Sequence, residues 1–272
     1  MSPRDSATRD NSGYPFFGLL FLAYGLGLLG LTFYLAEHPY YTPPPKPVVA
    51  PTGVQDFAAI THIPARKKAF LGFLLPLINA ENDKLAKVRE ELKRTRTSFL
   101  VANKLNVKQK AFVDSLSLQY RQNGQGIGTL ERIDQLLLKI DGLPASMVMA
   151  QAAMESAWGT SRFARQANNF FGQWCFTRGC GLVPKRRAEG ARHEVAKFAT
   201  PQDAVSAYFR NINSHPAYAD VRRLRAELRT QGVSLRGDVI VGGLAQYSAR
   251  GEAYIEELRS MIKTNNLRQY DR

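Results

Sequence analysis

Hydrophobic and polar positions change rhythm several times along the chain. From Tyr14 to Ala36 no residue is charged. As a helix this stretch would span about 35 Å, against a hydrocarbon core of about 30 Å. It is long for the apolar core of a signal peptide, and no small-x-small cleavage site follows it, so the pattern predicts a retained transmembrane anchor over 14–36 behind a short tail, 1–13. A Pro-rich linker, 37–65, comes next and contains "HPYYTPPPKPVVAPTG". Such a composition is extended and semi-rigid. From Arg66 the period becomes helical: Leu85, Val88, Leu92 and Phe99 recur with charges between them. Asp83/Lys87 and Glu90/Arg94 are spaced as favourable i,i+4 pairs. The pattern is short for a coiled coil, so an amphipathic helix packed on the domain is expected, kinked or broken at Pro76.

Further helices are expected over Val107–Gln122, Leu130–Ile140 and Pro144–Gly159. The stretch 173–199 has no helical period, is rich in Gly, Arg and aromatic residues, and predicts two or three short strands. "TPQD", Thr200–Asp203, is a strong helix start, with an N-cap Thr, a Pro and an acid at the third helical position. Helices should follow to about Asn213, then over Tyr218–Arg229, Gly237–Gln246 and Glu252–Thr264. The fold class is therefore mostly α with one small β insertion. The region 66–128 is assigned as a helical accessory region and 129–272 as the main domain.

Charge narrows the partners. The 272 residues hold 37 Lys and Arg against 23 Asp and Glu, a net charge of +14. That favours an anionic partner without choosing among nucleic acid, membrane surface and a carboxylate-bearing polymer. Arg4 and Arg9 precede the apolar span and the flank after it is poor in Lys and Arg, so the positive-inside rule places the bulk of the chain outside the cytoplasm and disfavours nucleic acid. His38, His62, His193 and His215 are scattered with no metal-ligand spacing, so no metal and no cofactor is expected. Cys175 and Cys180 lie close enough in "CFTRGCG" to permit a disulfide without establishing one.

One carboxylate stands out. No charged residue lies between Asp141 and Glu155, and none follows until Arg162. A carboxyl ending an apolar helix is desolvated, its neutral form is favoured, and its pKa rises. A protonated acid is what an oxygen leaving group needs from a general acid. The same residue would equally suit a cap on neighbouring backbone amides, and the pattern alone leaves both open.

"AQAAMESAWGTSRFA" followed by "NNFFGQW" resembles the glucosaminidase domains that cut bacterial peptidoglycan, glycoside hydrolase family seventy-three, and within them the Bax family of bacterial envelope proteins. The resemblance covers roughly Thr129–Leu267. It implies a lysozyme-like fold, Glu155 as general acid, and cleavage of the β-1,4 bond after N-acetylglucosamine. It aligns Ser156, Trp158 and Gly159 with the helix end that orients the acid, and Asn169, Phe171 and Gly172 with the cleft floor. Tyr247 falls near the cleaved bond and Tyr254 on the following helix, and the substrate-binding set expected is Ser156, Trp158, Asn169, Phe171, Gly172 and Tyr254. A second carboxylate is expected on the β insertion, at Glu194 in preference to Glu189; failing both, the substrate's acetamido group would assist. The envelope context makes a Cys175–Cys180 bridge expected. The anchor and linker lie outside the resemblance; joined to it, the apolar span predicts a protein held in the bacterial inner membrane through 14–36 and facing the periplasm. A lytic transglycosylase, or a peptidoglycan-binding protein whose cleft no longer cuts, are the alternatives.

Overall fold

A computed structural model describes residues 55–122, 126–185, 187 and 190–271. The expected tail, anchor and most of the linker lie outside the described residues, as does Glu189. Among the described residues no helix is long and apolar enough to cross a membrane.

The architecture is mostly α with a small sheet, in line with the sequence pattern. Helix α1, Ile63–Ala102, starts three residues earlier than expected, with Pro64 in its first turn. It buries Phe70, Leu74, Ile78, Leu85 and Leu92 along one stripe. It continues through Pro76, so of the kink or break expected there the break does not occur. Leu74 and Ile78 flank that proline and are both fully buried, so packing on each side holds the helix across the lost backbone bond. The surface pairs also differ: Glu90 pairs with Lys93, and Arg94 with Glu91 instead of Glu90. Exposed charges exchange partners at little cost.

Helix α2, Val107–Gln119, opens with an Asn106–Gln109 capping box and stops before the expected Gln122. Arg121 adopts φ 52° and Gln122 N–H donates to Ser117 O at 2.8 Å, which closes the helix in a Schellman turn. α3 (Thr129–Lys139), α4 (Ala145–Ser156) and α5 (Arg162–Ala167) follow. Strands β1 (Trp174–Cys175), β2 (Gly181–Leu182) and β3 (Glu194–Ala196) form an antiparallel sheet in the order β1-β3-β2. Val195 pairs with Trp174 on one side and Leu182 on the other. α6 (Pro201–Ser214) begins with the expected Thr200–Asp203 capping box. α7 (Ala219–Thr230) and α9 (Glu252–Thr264) lie close to their expected bounds. Between them α8 covers only Gly237–Ile240 and tightens into a 3₁₀ turn over Val241–Leu244. Gly242 and Gly243 are poor helix formers, and a Cβ at Gly243 would meet Val221 N at 2.3 Å.

One hydrophobic core joins the region before residue 129 to the region after it. Phe57, Leu74 and Leu92 share it with Met149, Tyr208 and Leu258. α1 packs against α3, α4 and α6. The closest join is Gly159, just past α4. At φ 79° it faces the ring of Phe57, and a Cβ there would sit 2.4 Å from that ring and 3.0 Å from Phe70. The end of α4 is thus moulded against Phe57, from the stretch read as linker, and Phe70, from the accessory region.

Candidate active site

Helix α4 is buried on nearly all sides: Met147, Val148, Met149, Ala150 and Ala152 have no exposed surface. Its last turn carries Glu155, which opens to solvent. The helix then stops abruptly. Ala157, Trp158 and Gly159 take φ 50°, 59° and 79°, three left-handed residues in succession. Ser156 clips this turn, its Oγ donating to Ala152 O at 2.5 Å and accepting from Gly159 N–H at 2.8 Å. Fully buried, Ser156 sets the direction of its neighbour and does not face the cleft.

The two oxygens of Glu155 are not equivalent. Oε1 accepts from Tyr254 Oη at 2.9 Å. Tyr254 Oη in turn accepts from Gln151 Nε2 at 3.0 Å, and Gln151 Oε1 accepts from Tyr208 Oη. This chain of donors is directed: with its Oε1 taken by Tyr208, Gln151 presents its NH₂ to Tyr254, whose proton then points at Glu155. Oε2 has no hydrogen-bond partner among the described residues. It lies beside Gly172, where a Cβ would come within 3.4 Å at φ 63°. Burial raises the Glu155 carboxyl above its ordinary value, and the Tyr254 bond opposes this only in part. One side of the carboxyl meets the cleft while protein mass crowds the other, which reconciles its exposure with its desolvation. A proton held by Glu155 therefore sits on Oε2, the oxygen beside cleft-lining Gly172.

The floor beside it is aromatic. Tyr247 Oη donates to Phe171 O at 2.8 Å, and the Tyr247 and Tyr254 rings stack at 5.8 Å. Phe171 stacks on Tyr208 at 4.2 Å. Burial raises both Tyr247 and Tyr254, so both remain hydroxyl donors. Asn169 is buried under this floor: it accepts from Phe171 and Gln173 N–H and donates to Gln173 O and Ala196 O. It shapes the loop and does not line the cleft. Trp158 points elsewhere, edge-on to Phe70 at 5.9 Å with Lys67 over its ring at 4.7 Å. Of the residues expected to bind substrate, Phe171 and Gly172 line the open cleft, as do Glu155 and Tyr247. Ser156, Trp158, Asn169 and Tyr254 support it from behind.

The cleft has a volume of about 750 Å³. Trp174 and Phe176, 59% and 74% exposed, stand along it. Trp174 stacks on His193 at 4.1 Å, a platform of the kind that packs against a sugar ring. A disulfide joins Cys175 to Cys180 and closes the loop that bears Phe176. Glu194 serves this loop. Its oxygens accept from Gly179 N–H at 3.0 Å and Gly181 N–H at 2.8 Å, and these two bonds hold its carboxyl below the usual range. It does not line the cleft that holds Glu155. The expectation of a catalytic role at Glu194 thus meets a carboxylate already spent on backbone amides.

Sequence reasoning passed over Gln151, Tyr208, Trp174, Arg121 and Arg210. Gln151 carried a readable signal: it is the one polar side chain four residues before Glu155 in an apolar helix, hence on the same face.

Residues 134–267 match the glucosaminidase family, described as mannosyl-glycoprotein endo-beta-N-acetylglucosaminidase. Over 200 residues the chain is 32% identical to Protein bax of Escherichia coli (strain K12), which spans 74% of this chain and 70% of that one. The crystal structure of the catalytic domain of the autolysin Auto from Listeria monocytogenes is 21% identical with a TM-score of 0.38, over 66% of this chain and 97% of that domain.

Proposed function

The chain belongs to the glucosaminidase family, and on that premise we propose that it is a peptidoglycan hydrolase that cleaves the β-1,4 bond after N-acetylglucosamine. The observation that carries this reading is the asymmetry of Glu155, with Oε1 tied to Tyr254 and Oε2 free at the floor of an open cleft. Glu155 would protonate the leaving oxygen from Oε2. The Tyr254–Gln151–Tyr208 chain would keep Oε1 an acceptor throughout, so the carboxyl neither rotates nor misplaces its proton. Tyr247, fixed by Phe171 O, would position the reacting sugar. Among the described residues Glu155 is the only carboxylate lining the cleft. This supports assistance by the substrate's own acetamido group, a known alternative to the two-carboxylate scheme. The apolar stretch 14–36 would anchor the protein in the bacterial inner membrane, with the catalytic domain in the periplasm.

The lone carboxylate equally suits a lytic transglycosylase, which needs an acid but no activated water. End-group chemistry separates the two. The purified chain is incubated with sacculi, the products are reduced, and terminal sugars are identified by mass spectrometry. Reduced N-acetylglucosamine ends are expected. Anhydro-muramic ends would move the protein to transglycosylase chemistry, and the absence of new ends would overturn both.

Glu194 supplies a second prediction. As an anchor of the disulfide loop, Glu194→Gln keeps an acceptor for one of its two amides. Cleavage should stay within about tenfold of wild type, whereas loss of a general base costs about 10²–10⁴-fold. A loss in the larger range returns Glu194 to the catalytic machinery.

A further inference from the structure

We propose that Arg121, Arg210 and His215 form a carboxylate-binding subsite within the cleft, which selects glycan strands bearing a carboxylate substituent over uncharged ones. The proposal rests on the peptidoglycan reading above and names which part of that polymer the cleft recognises.

All three side chains are exposed and line the cavity that holds Glu155. They come from two elements. Arg210 stands on α6 three residues after Ala207 and one before Asn211, and this i, i+3, i+4 face forms one wall of the cleft. His215 follows at the end of the same helix. Arg121 comes from the turn after α2, ahead of the residues that match the family.

Arg121 is held in place by its backbone. It occupies the left-handed position of a Schellman turn, where glycine is the usual residue. Lys139 Nζ donates to both Tyr120 O and Arg121 O, at 2.9 and 3.1 Å, and locks that turn against α3. An arginine there accepts conformational strain that a glycine would avoid.

The charges are left unbalanced. Several arginines on other helices find acidic partners about one turn away, among them Arg94 with Glu91, Arg223 with Glu227 and Arg259 with Glu256. Arg121 and Arg210 have none among the described residues. Folding brings two cations and an imidazole to one cavity whose only carboxyl among the described residues, Glu155, pairs with neither arginine, and that arrangement leaves room for an anion from outside.

His215 adds a donor. Its Nδ1 accepts from Ala217 N–H at 3.2 Å, so in the neutral ring the proton lies on Nε2. Burial and the nearby Arg121 and Arg222 lower its pKa, which keeps the ring neutral. Two forked guanidiniums and one N–H suit a carboxylate better than any sugar hydroxyl. In peptidoglycan that carboxylate belongs either to a stem peptide or to the lactyl group left when the peptide is removed.

The test compares the full wild-type chain with an Arg121→Gln/Arg210→Gln double variant. Affinities are measured for three soluble glycans: peptide-bearing strands, strands stripped to the bare lactyl carboxylate, and uncharged N-acetylglucosamine oligomers. The double variant should weaken about ten- to hundredfold on carboxylate-bearing glycan and bind the uncharged oligomer as wild type does. Loss confined to peptide-bearing strands assigns the stem-peptide carboxylate; loss confined to the stripped strands assigns the lactyl carboxylate, which is an amide while the peptide is attached; loss on both assigns a subsite that takes either carboxylate. The wild-type preference should also shrink as salt rises. Equal loss on all three glycans, or no loss on any, overturns the proposal. Because the readout is binding, it stands whether or not new glycan ends appear, and end-group chemistry judges the hydrolase reading separately.

Discussion

Glu155→Gln should lower glycan cleavage by about 10²–10⁴-fold, the usual cost of removing a general acid. The substitution keeps an acceptor for Tyr254 Oη and nearly the same volume, so the floor of the cleft should survive it. The sign of the pH dependence follows from the raised carboxyl. A general acid works only while protonated, so wild-type activity should fall as pH rises through the Glu155 pKa, which lies above the ordinary carboxylate value. In the variant that limb should vanish. The two measurements are initial rates of end-group release and a pH–rate profile of each protein, with thermal melting as a control. Removing a desolvated carboxylate should leave the melting temperature no lower than in wild type. A variant that keeps full activity, or an unchanged basic limb, would assign the acid to another group.

Arg225→Met should destabilise the fold by about 3–5 kcal/mol, as expected when one partner of a buried ion pair is removed. Arg225 is 1% exposed and extends from α7 under the end of α3. Its guanidinium donates to Leu138 O and Lys139 O at 3.0 Å, to Asp141 O and Gly142 O at 3.2 and 3.1 Å, and to Asn213 Oδ1 at 2.6 Å. It therefore satisfies carbonyls that α3 leaves open at its C-terminus, where positive charge is favoured. Asp141 balances it, with Arg229 at 3.0 Å and Arg89 at 3.8 Å on the same carboxylate. Burial alone would raise Asp141, but Arg225, Arg229 and Arg89 outweigh it and the net shift is downward. Burial lowers Arg225 to about 10, still charged at neutral pH.

Because the folded pKa of Asp141 is depressed, its contribution to stability is present above the ordinary value of 3.8 and is lost as pH falls below that value through the folded one. Thermal or urea denaturation at neutral pH should show the full deficit of Arg225→Met, and the gap to wild type should narrow in acid. With about 2–4 °C per kcal/mol for a domain of this size, the melting temperature should drop by roughly 6–20 °C. A drop of only a degree or two would mean that water replaces the guanidinium.

What the sequence could disclose followed from the range of the interactions involved. Glu155 was visible because its isolation is written in consecutive residues, and the Thr200–Asp203 cap because both partners lie within one turn. The bounds of α9 followed from an uninterrupted helical period. The fate of Glu194 was hidden because it depends on which amides a two-residue strand brings alongside, and Gly179 and Gly181 carry no mark of that pairing. Arg121 was hidden for the same reason: it reaches the cleft from more than thirty residues before Glu155, through the packing of α2 on α3. Pro76 misled in the opposite direction, since a local rule yielded to Leu74 and Ile78 anchored on both sides of it. Ser156 closes the helix end to which the resemblance aligned it, but it and Asn169, also expected to bind substrate, are buried and bond to backbone, and burial, which sequence does not print, decides between holding a wall and lining a cleft.

The contact of Gly159 with Phe57 bears on how the protein can be cut down. The stretch that matches the family starts at residue 134, but the turn that aims Glu155 rests on two phenylalanines that lie far upstream of it. Trimming to the matched stretch would strip one side from the turn that ends α4, and even a truncation starting at Arg66 would discard Phe57. A unit that keeps this contact must therefore include Phe57, which lies within the stretch read as linker, 37–65, so part of that stretch belongs to the fold of the domain.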